Sequence, residues 1–210
     1  MRTPKDAPSY TTPSEPLPTP VSADPVLHLL AGPNGAGKTT FASRVLQPVT
    51  HLPFVNADDI AAREWPEASA AHAYEASRLA AGERARLIAA RSSFITETVF
   101  SHESKVDLVA AAGAAGFHVH LHVILVPEDT TVGRVRHRVQ RGGHDVPEVK
   151  IRERYHRLWA LVAQARELAE RTRVYDNSLA HAPFRLVATY EHGQPIGDAT
   201  WPTWTPAELR

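Results

Sequence analysis

No cysteine occurs among the 210 residues of this chain. That excludes disulfides and thiolate metal sites and suits a reducing compartment. Net charge is missing too: Lys+Arg and Asp+Glu stand at 23 each, so no global field draws the protein to nucleic acid or to an anionic membrane, and any basic site is local. The start, Met1 to Asp6, lacks the apolar core of a signal peptide, and no apolar run approaches the about 20 residues that span a bilayer. A soluble, cytoplasmic protein is the expectation. No repeat of 20 to 50 residues is visible, which sets solenoids and propellers aside. At 43% hydrophobic content, one sizeable core and one main domain are expected.

What is present centres on Gly32-Pro33-Asn34-Gly35-Ala36-Gly37-Lys38-Thr39-Thr40. The pattern G-x-x-x-x-G-K-[ST] is a phosphate-binding loop, with glycines where backbone N–H groups must turn inward and approach phosphate oxygens closely. Lys38 is placed to reach β- and γ-phosphates, the Thr39 hydroxyl to hold magnesium, and the helix opening near Gly37 adds its positive end to the same anion site. The flanks agree: Val26 to Ala31 is an apolar run suited to a buried parallel strand, and Thr40 to Leu46 can continue as a helix. ATP and Mg2+ are therefore the expected cofactors.

Residues 1 to 25 carry seven prolines among serines and threonines and read as a disordered arm, with a proline-rich docking peptide as the alternative. Pro48 is expected to end the first helix. His51 to Asn56 reads as a second strand running into Asp58 and Asp59, and strand ends on this edge face the ligand in open α/β sheets. Asp58 is thus a candidate base or, equally, a helix cap. Glu67 to Arg91 reads as a long alanine-rich helix started near Pro66. Ser92 to Phe100 reads as a third strand that delivers Glu97 and Thr98 to the same edge, and Glu103 to Ala115 as another helix. Phe117 to Val126 is a strand with His118, His120 and His122 at period two on one face. Such a row suggests zinc, but a line of side chains along one strand with no carboxylate fits packing under a covering helix better.

In Thr131 to Arg141, helical spacing sorts Val132, Val135 and Val139 into one stripe and Arg134, Arg138 and Arg141 into another. The valines are expected to pack, and the arginine row, unpaired and self-repelling, to face an anionic partner. Gly142-Gly143-His144-Asp145-Val146-Pro147 is a break that can hinge, followed by a helix to about Arg171 carrying Arg152, Arg154 and Arg157. Together these resemble a mobile lid closing arginines over phosphates. Thr172 to Asn177 is a fifth strand, and Phe184 to Gln194 a hairpin with its turn. The tail, with Trp201 and Trp204, can lie on the domain or serve a partner. The alternation of strands and helices argues for an α/β fold: a P-loop NTPase-like parallel sheet with helices on both faces and a helical, arginine-bearing lid.

Taken together, Gly32 to Thr40, Asn56-Ala57-Asp58, Phe94-Ile95-Thr96-Glu97-Thr98 and the segment Arg134 to Pro147 resemble the zeta toxin family of P-loop kinases, over residues from about 26 to 178. Residues 179–210 form a hairpin and tail outside that resemblance. The resemblance implies ATP-dependent phosphorylation of a hydroxyl on a UDP-activated amino sugar, typically UDP-N-acetylglucosamine, with an antitoxin protein as a possible partner. It carries Lys38 and Thr39 onto the phosphate-loop positions, Asp58 onto the general base, and Glu97 and Thr98 onto the strand end that fixes substrate and metal. The lid arginines fall among Arg134, Arg138, Arg141 and Arg154. The lid departs from that of the longer toxins, whose extra substrate-binding helices are not seen here. Two alternatives stand beside this reading: a P-loop kinase of another small metabolite, and a nucleotide-regulated binding module without transfer activity. A Leu-Ser-Gly-Gly-Gln-like transport signature and an Asn-Lys-x-Asp guanine reader are both absent.

Overall fold

The computed structural model describes residues 24–140 and 146–210, the side chain of Arg138 apart. The proline-rich arm, Arg141 and the glycine pair after it lie outside the described residues. A seven-stranded sheet organises the rest, in the order β2-β3-β1-β4-β5-β6-β7. Its strands are β1 Val26–Ala31, β2 Phe54–Val55, β3 Phe94–Thr98, β4 His118–Leu125, β5 Arg171–Asp176, β6 Arg185–Glu191 and β7 Gln194–Pro195. The first five run parallel as expected, whereas β6 and β7, the expected hairpin, pair antiparallel and extend the same sheet, which is therefore mixed. The short connection from β5 to β6 explains the reversal, since a parallel return needs a crossover of a dozen residues or more.

Period-two alternation divides the strands between two cores. Leu27, Leu29, Val119, Leu121, Val123 and Val174 face a large cluster that also takes Ala76, Ala80, Val109, Leu158, Trp159 and Val162. Those partners come from α4 Ala73–Ala89, α5 Ser104–Ala114 and α7 Glu148–Leu168. Leu30, Ile95 and Ile124 face the opposite side and pack on Phe41, Ala42 and Leu46. The helix there starts as α1 Lys38–Phe41, widens to a π-helical turn over Ala42–Leu46 and resumes as α2 Gln47–Thr50. Pro48 therefore does not end it, contrary to expectation. Proline has no N–H to give to a carbonyl four residues back and its ring crowds that carbonyl, and the wider turn immediately before it accommodates both. The stop comes at His51, in the left-handed region with φ 55°.

Two further elements differ from the sequence-based expectation. Asn56, not Asp58, caps α3 Ala57–Glu64, its side chain accepting from the Asp58 N–H. The helix expected from Glu67 begins only at Ala73, because Trp65 stacks on His72 at 4.6 Å and folds the intervening residues into turns. The hinge side of α6 Glu128–Gln140 buries Val132 and Val135 against Val146 and Ile151, with Val139 packed alongside, as the valine stripe implied. The tail also resolves: Trp201 and Trp204 pack on the main core, and Leu209, 1% exposed, closes it. Among the described residues no helix is long and apolar enough to cross a membrane.

Candidate active site

The loop Gly32 to Gly37 leaves the carboxyl end of β1 and turns directly into α1. Two of its glycines are required by close approach as well as by conformation. A Cβ on Gly32, at φ +152°, would sit 2.6 Å from the Ile124 carbonyl oxygen, and one on Gly37, at φ +95°, would sit 2.7 Å from the Asn177 amide nitrogen. Lys38 is buried, its ammonium donating to the carbonyls of Gly32 and Pro33 at 3.0 Å each. The Asn34 side-chain oxygen is buried with no hydrogen-bond partner in the protein. An orphaned polar atom inside a cradle of glycines is what a ligand-binding loop leaves for its ligand to satisfy.

Parallel pairing sets the carboxylate wall. The register Leu30↔Glu97 and Ala31↔Thr98 lays the end of β3 beside the end of β1, and alternation turns Glu97 toward the face that carries α1. There the Thr39 hydroxyl donates to Glu97 Oε2 at 2.9 Å. Burial pushes the Glu97 carboxyl above the ordinary glutamate value, Lys38 and Thr39 pull it back, and Asp58 and Asp59 push it up again. Asp58 is exposed on the first turn of α3, free of the capping duty that Asn56 performs. Asp59 is raised by burial and by its neighbour Asp58. Glu97, Asp58 and Asp59 thus form a negative wall, with Lys38 and Thr39 acting on Glu97 from the loop, although among the described residues no three such groups stand close enough to hold a metal ion together. Thr98 serves the backbone instead, accepting from the Phe100 N–H at 3.1 Å.

The arginine row divides. Arg134 does not face solvent: its guanidinium donates to the Gly35 carbonyl at 3.2 Å and to the Asn177 carbonyl at 2.9 Å, tying α6 to the loop. The side chain of Arg138 and all of Arg141 lie outside the described residues. Arg154, half-buried on α7, has no hydrogen bond or ion pair among them, while Arg152 pairs with Glu128, Asp129 and Glu148. One residue that the sequence reading passed over holds the site together. Asn177, just past β5, donates its amide to the Ala36 carbonyl at 2.8 Å, and its own N–H bonds the Leu125 carbonyl at the end of β4. Its only sequence signal was its place at a strand's carboxyl end. The histidine row divides: His122 packs under Phe41 on the α1 face, where His28 of β1 joins it with the two ring nitrogens 3.0 Å apart, whereas His118 bonds Glu170, so a carboxylate does meet the row, contrary to expectation.

Residues 27–159, covering the loop, the carboxylate wall, α6 and the first part of α7, match the AAA_33 family, described as an AAA domain. The chain belongs to that family. A member of the curated proteins, an uncharacterized protein of Haemophilus influenzae, is 30% identical over 125 residues, 59% of this chain and 88% of that one. Among solved structures, the AvrRxo1-ORF1:AvrRxo1-ORF2 complex with sulphate ions is 21% identical with a TM-score of 0.61, covering 82% of this chain. The present chain spans 60% of the length of that matched chain. The PezAT chromosomal toxin-antitoxin system of Streptococcus pneumoniae is 13% identical with a TM-score of 0.55, covering 74% of this chain and 69% of that one. At these identities the shared property is the fold, a P-loop kinase-like AAA domain.

Proposed function

We propose that this AAA domain is an ATP-dependent phosphotransferase that acts on a hydroxyl of a UDP-activated amino sugar such as UDP-N-acetylglucosamine, in the manner of zeta toxins. The carrying observation is the meeting of Lys38, the Thr39–Glu97 pair and the uncommitted Asp58 at one sheet edge. The likeness to the PezAT toxin-antitoxin system supports it at the level of fold, as does the AvrRxo1 complex solved with ATP, with a TM-score of 0.57. On this reading an antitoxin protein is a candidate partner and the cytoplasm the place of action.

The glycine cradle and the unpartnered Asn34 oxygen fit nucleotide phosphates, and Thr39 with Glu97 would hold Mg2+. Bound there, the ion would supply charge neutralisation between the β- and γ-phosphates. Lys38 exchanges the Gly32 and Pro33 carbonyls for phosphate oxygens, and Asp58 accepts the hydrogen bond of the acceptor hydroxyl and aligns it. Arg134 lies at the loop to meet developing charge on the transferred group, with Arg138, Arg141 and Arg154 as further candidates and Thr98 at the acceptor side. Alignment and charge stabilisation carry most of the rate in such transfers.

The test is phosphate transfer from γ-labelled ATP to a panel of UDP-sugars and free sugars. Wild type is expected to label UDP-N-acetylglucosamine, Lys38→Ala and Asp58→Asn to lose about 100-fold or more in turnover while remaining folded. Label on a different acceptor would replace the substrate and keep the mechanism. Normal turnover by Lys38→Ala would end the kinase reading.

A further inference from the structure

Two cations on the other side of β3 have no counter-charge among the described residues. Arg84 is 8% exposed, yet its guanidinium makes no hydrogen bond or ion pair among the described residues. It occupies the core-facing stripe of α4 that carries Ala76, Ala80 and Leu87. Lys105 stands in the first turn of α5, on the stripe that continues through Val109 and Ala112 into the same apolar cluster. Burial lowers both cations, and Arg84 lowers Lys105 further by proximity, with no acid acting on either. Glu103 and Asp107 flank Lys105 in sequence but are exposed, and neither pairs with it among the described residues. Three positive features therefore converge: Arg84, Lys105 and the N-terminal end of an 11-residue helix.

This arrangement is unfavourable, because Arg84 is largely withdrawn from water and Lys105 half so, neither with a partner, and two like charges add repulsion, while none of their nitrogens is sealed from an incoming ligand. An anion removes both penalties. Position says which anion. The first turn of α5 follows the carboxyl end of β3, the strand that delivers Glu97. Helical side chains lean toward their helix N-terminus, which carries the Arg84 stem toward the same sheet edge.

We infer that Arg84 and Lys105, at the N-terminal turn of α5, form a subsite for a phosphate group of the acceptor, so that the substrate of this site is a phosphorylated or nucleotide-linked alcohol and not a neutral sugar. The inference rests on the phosphotransferase reading for its position in catalysis, but the anion site itself is testable apart from catalysis.

The probe is inorganic phosphate, titrated into the full chain at constant ionic strength while its melting temperature is followed, in a Lys38→Ala background that weakens the phosphate loop. Phosphate at ten times its Kd should raise the melting temperature by about 3 °C. Arg84→Met and Lys105→Met, each added to that background, should abolish the rise, and Arg84→Met in phosphate-free buffer should melt no lower than its parent because it removes an uncompensated charge and keeps the volume. An undiminished rise in both double variants overturns the subsite, as does a lower phosphate-free melting temperature in both, which would make the pair structural. A phosphate effect that depends on Arg84 without transfer of label to any acceptor would remove the kinase reading and leave the subsite standing. Transfer of label with a phosphate effect indifferent to both substitutions would do the reverse.

Discussion

At the scale of single residues, Asn177 shows how much of the site depends on a group that touches no reacting atom. Its amide satisfies the buried Ala36 carbonyl at 2.8 Å, its backbone carbonyl receives Arg134, and its side chain fills the space that a Cβ on Gly37 would need. Removing the amide leaves a loop carbonyl without a partner, at a cost of about 1–3 kcal/mol, and frees the loop from the end of β5. Asn177→Ala is therefore expected to weaken binding of MgATP by about 10-fold in isothermal titration, the affinity equivalent of about 1.4 kcal/mol. Asn177→Asp is expected to do worse, since it sets a carboxylate oxygen against the carbonyl. Unchanged affinity in both variants would show that the loop holds its shape unaided. Residues such as this are hard to read in a sequence because the bond spans 141 positions, whereas the loop's own glycines announce themselves within nine.

At the scale of elements, local pattern was a good guide wherever burial is one-sided. The apolar run of β1, the histidine-marked alternation of β4 and the valine stripe of α6 all follow from period alone. Pattern failed where a tertiary contact competes with propensity. The Trp65–His72 stack removed the first residues of the alanine-rich helix, and the π turn carried the phosphate-loop helix past Pro48. The tail was undecided from sequence because its tryptophans suit a core or a partner equally, and the structure commits it to the core. There the Leu209 carbonyl accepts from Arg166 at 3.2 Å and from the Tyr190 hydroxyl at 3.3 Å, while Arg166 lies 4.5 Å above the Tyr190 ring. Leu209→Ala should cost about 2–4 kcal/mol in urea unfolding, since a fully buried leucine loses both transfer energy and packing. Affinity for ATP should not change, because the tail and the phosphate loop sit on opposite faces of the sheet. A loss below about 0.5 kcal/mol would mean that the tail is only laid on the surface.

At the scale of the whole molecule, the sheet carries an internal pH dependence that its balanced charge conceals. His28, His120 and His122 share the α1 face of the sheet with Arg173, and burial together with these like charges holds His28 down at about 4 and His122 well below the ordinary value. A depressed histidine stays neutral in the folded chain while the same residue in the unfolded chain takes up a proton near pH 6.5, so stability is complete above that pH and is lost as pH falls toward 4. His118 acts in the opposite sense. Its bond to Glu170 raises it, so its contribution is present at acid pH and fades as pH rises, but both groups lie at the surface, where solvent screening keeps such pairs weak. The buried pair therefore decides the sign. For His28 alone, protonation linkage amounts to about 2 kcal/mol between pH 7.5 and pH 5, so urea unfolding of the wild type should show a loss of that order. His28→Leu combined with His122→Leu removes both titrating groups and the 3.0 Å contact between them, leaving no orphaned nitrogen behind. The double variant should lose markedly less stability over the same interval, with His120 supplying what dependence remains. Equal losses in the two proteins would place the acid sensitivity elsewhere, in a carboxylate held below its ordinary value such as Asp176, since the raised Glu97 and Asp59 act in the opposite sense, and would make the histidines of the sheet face indifferent to their charge.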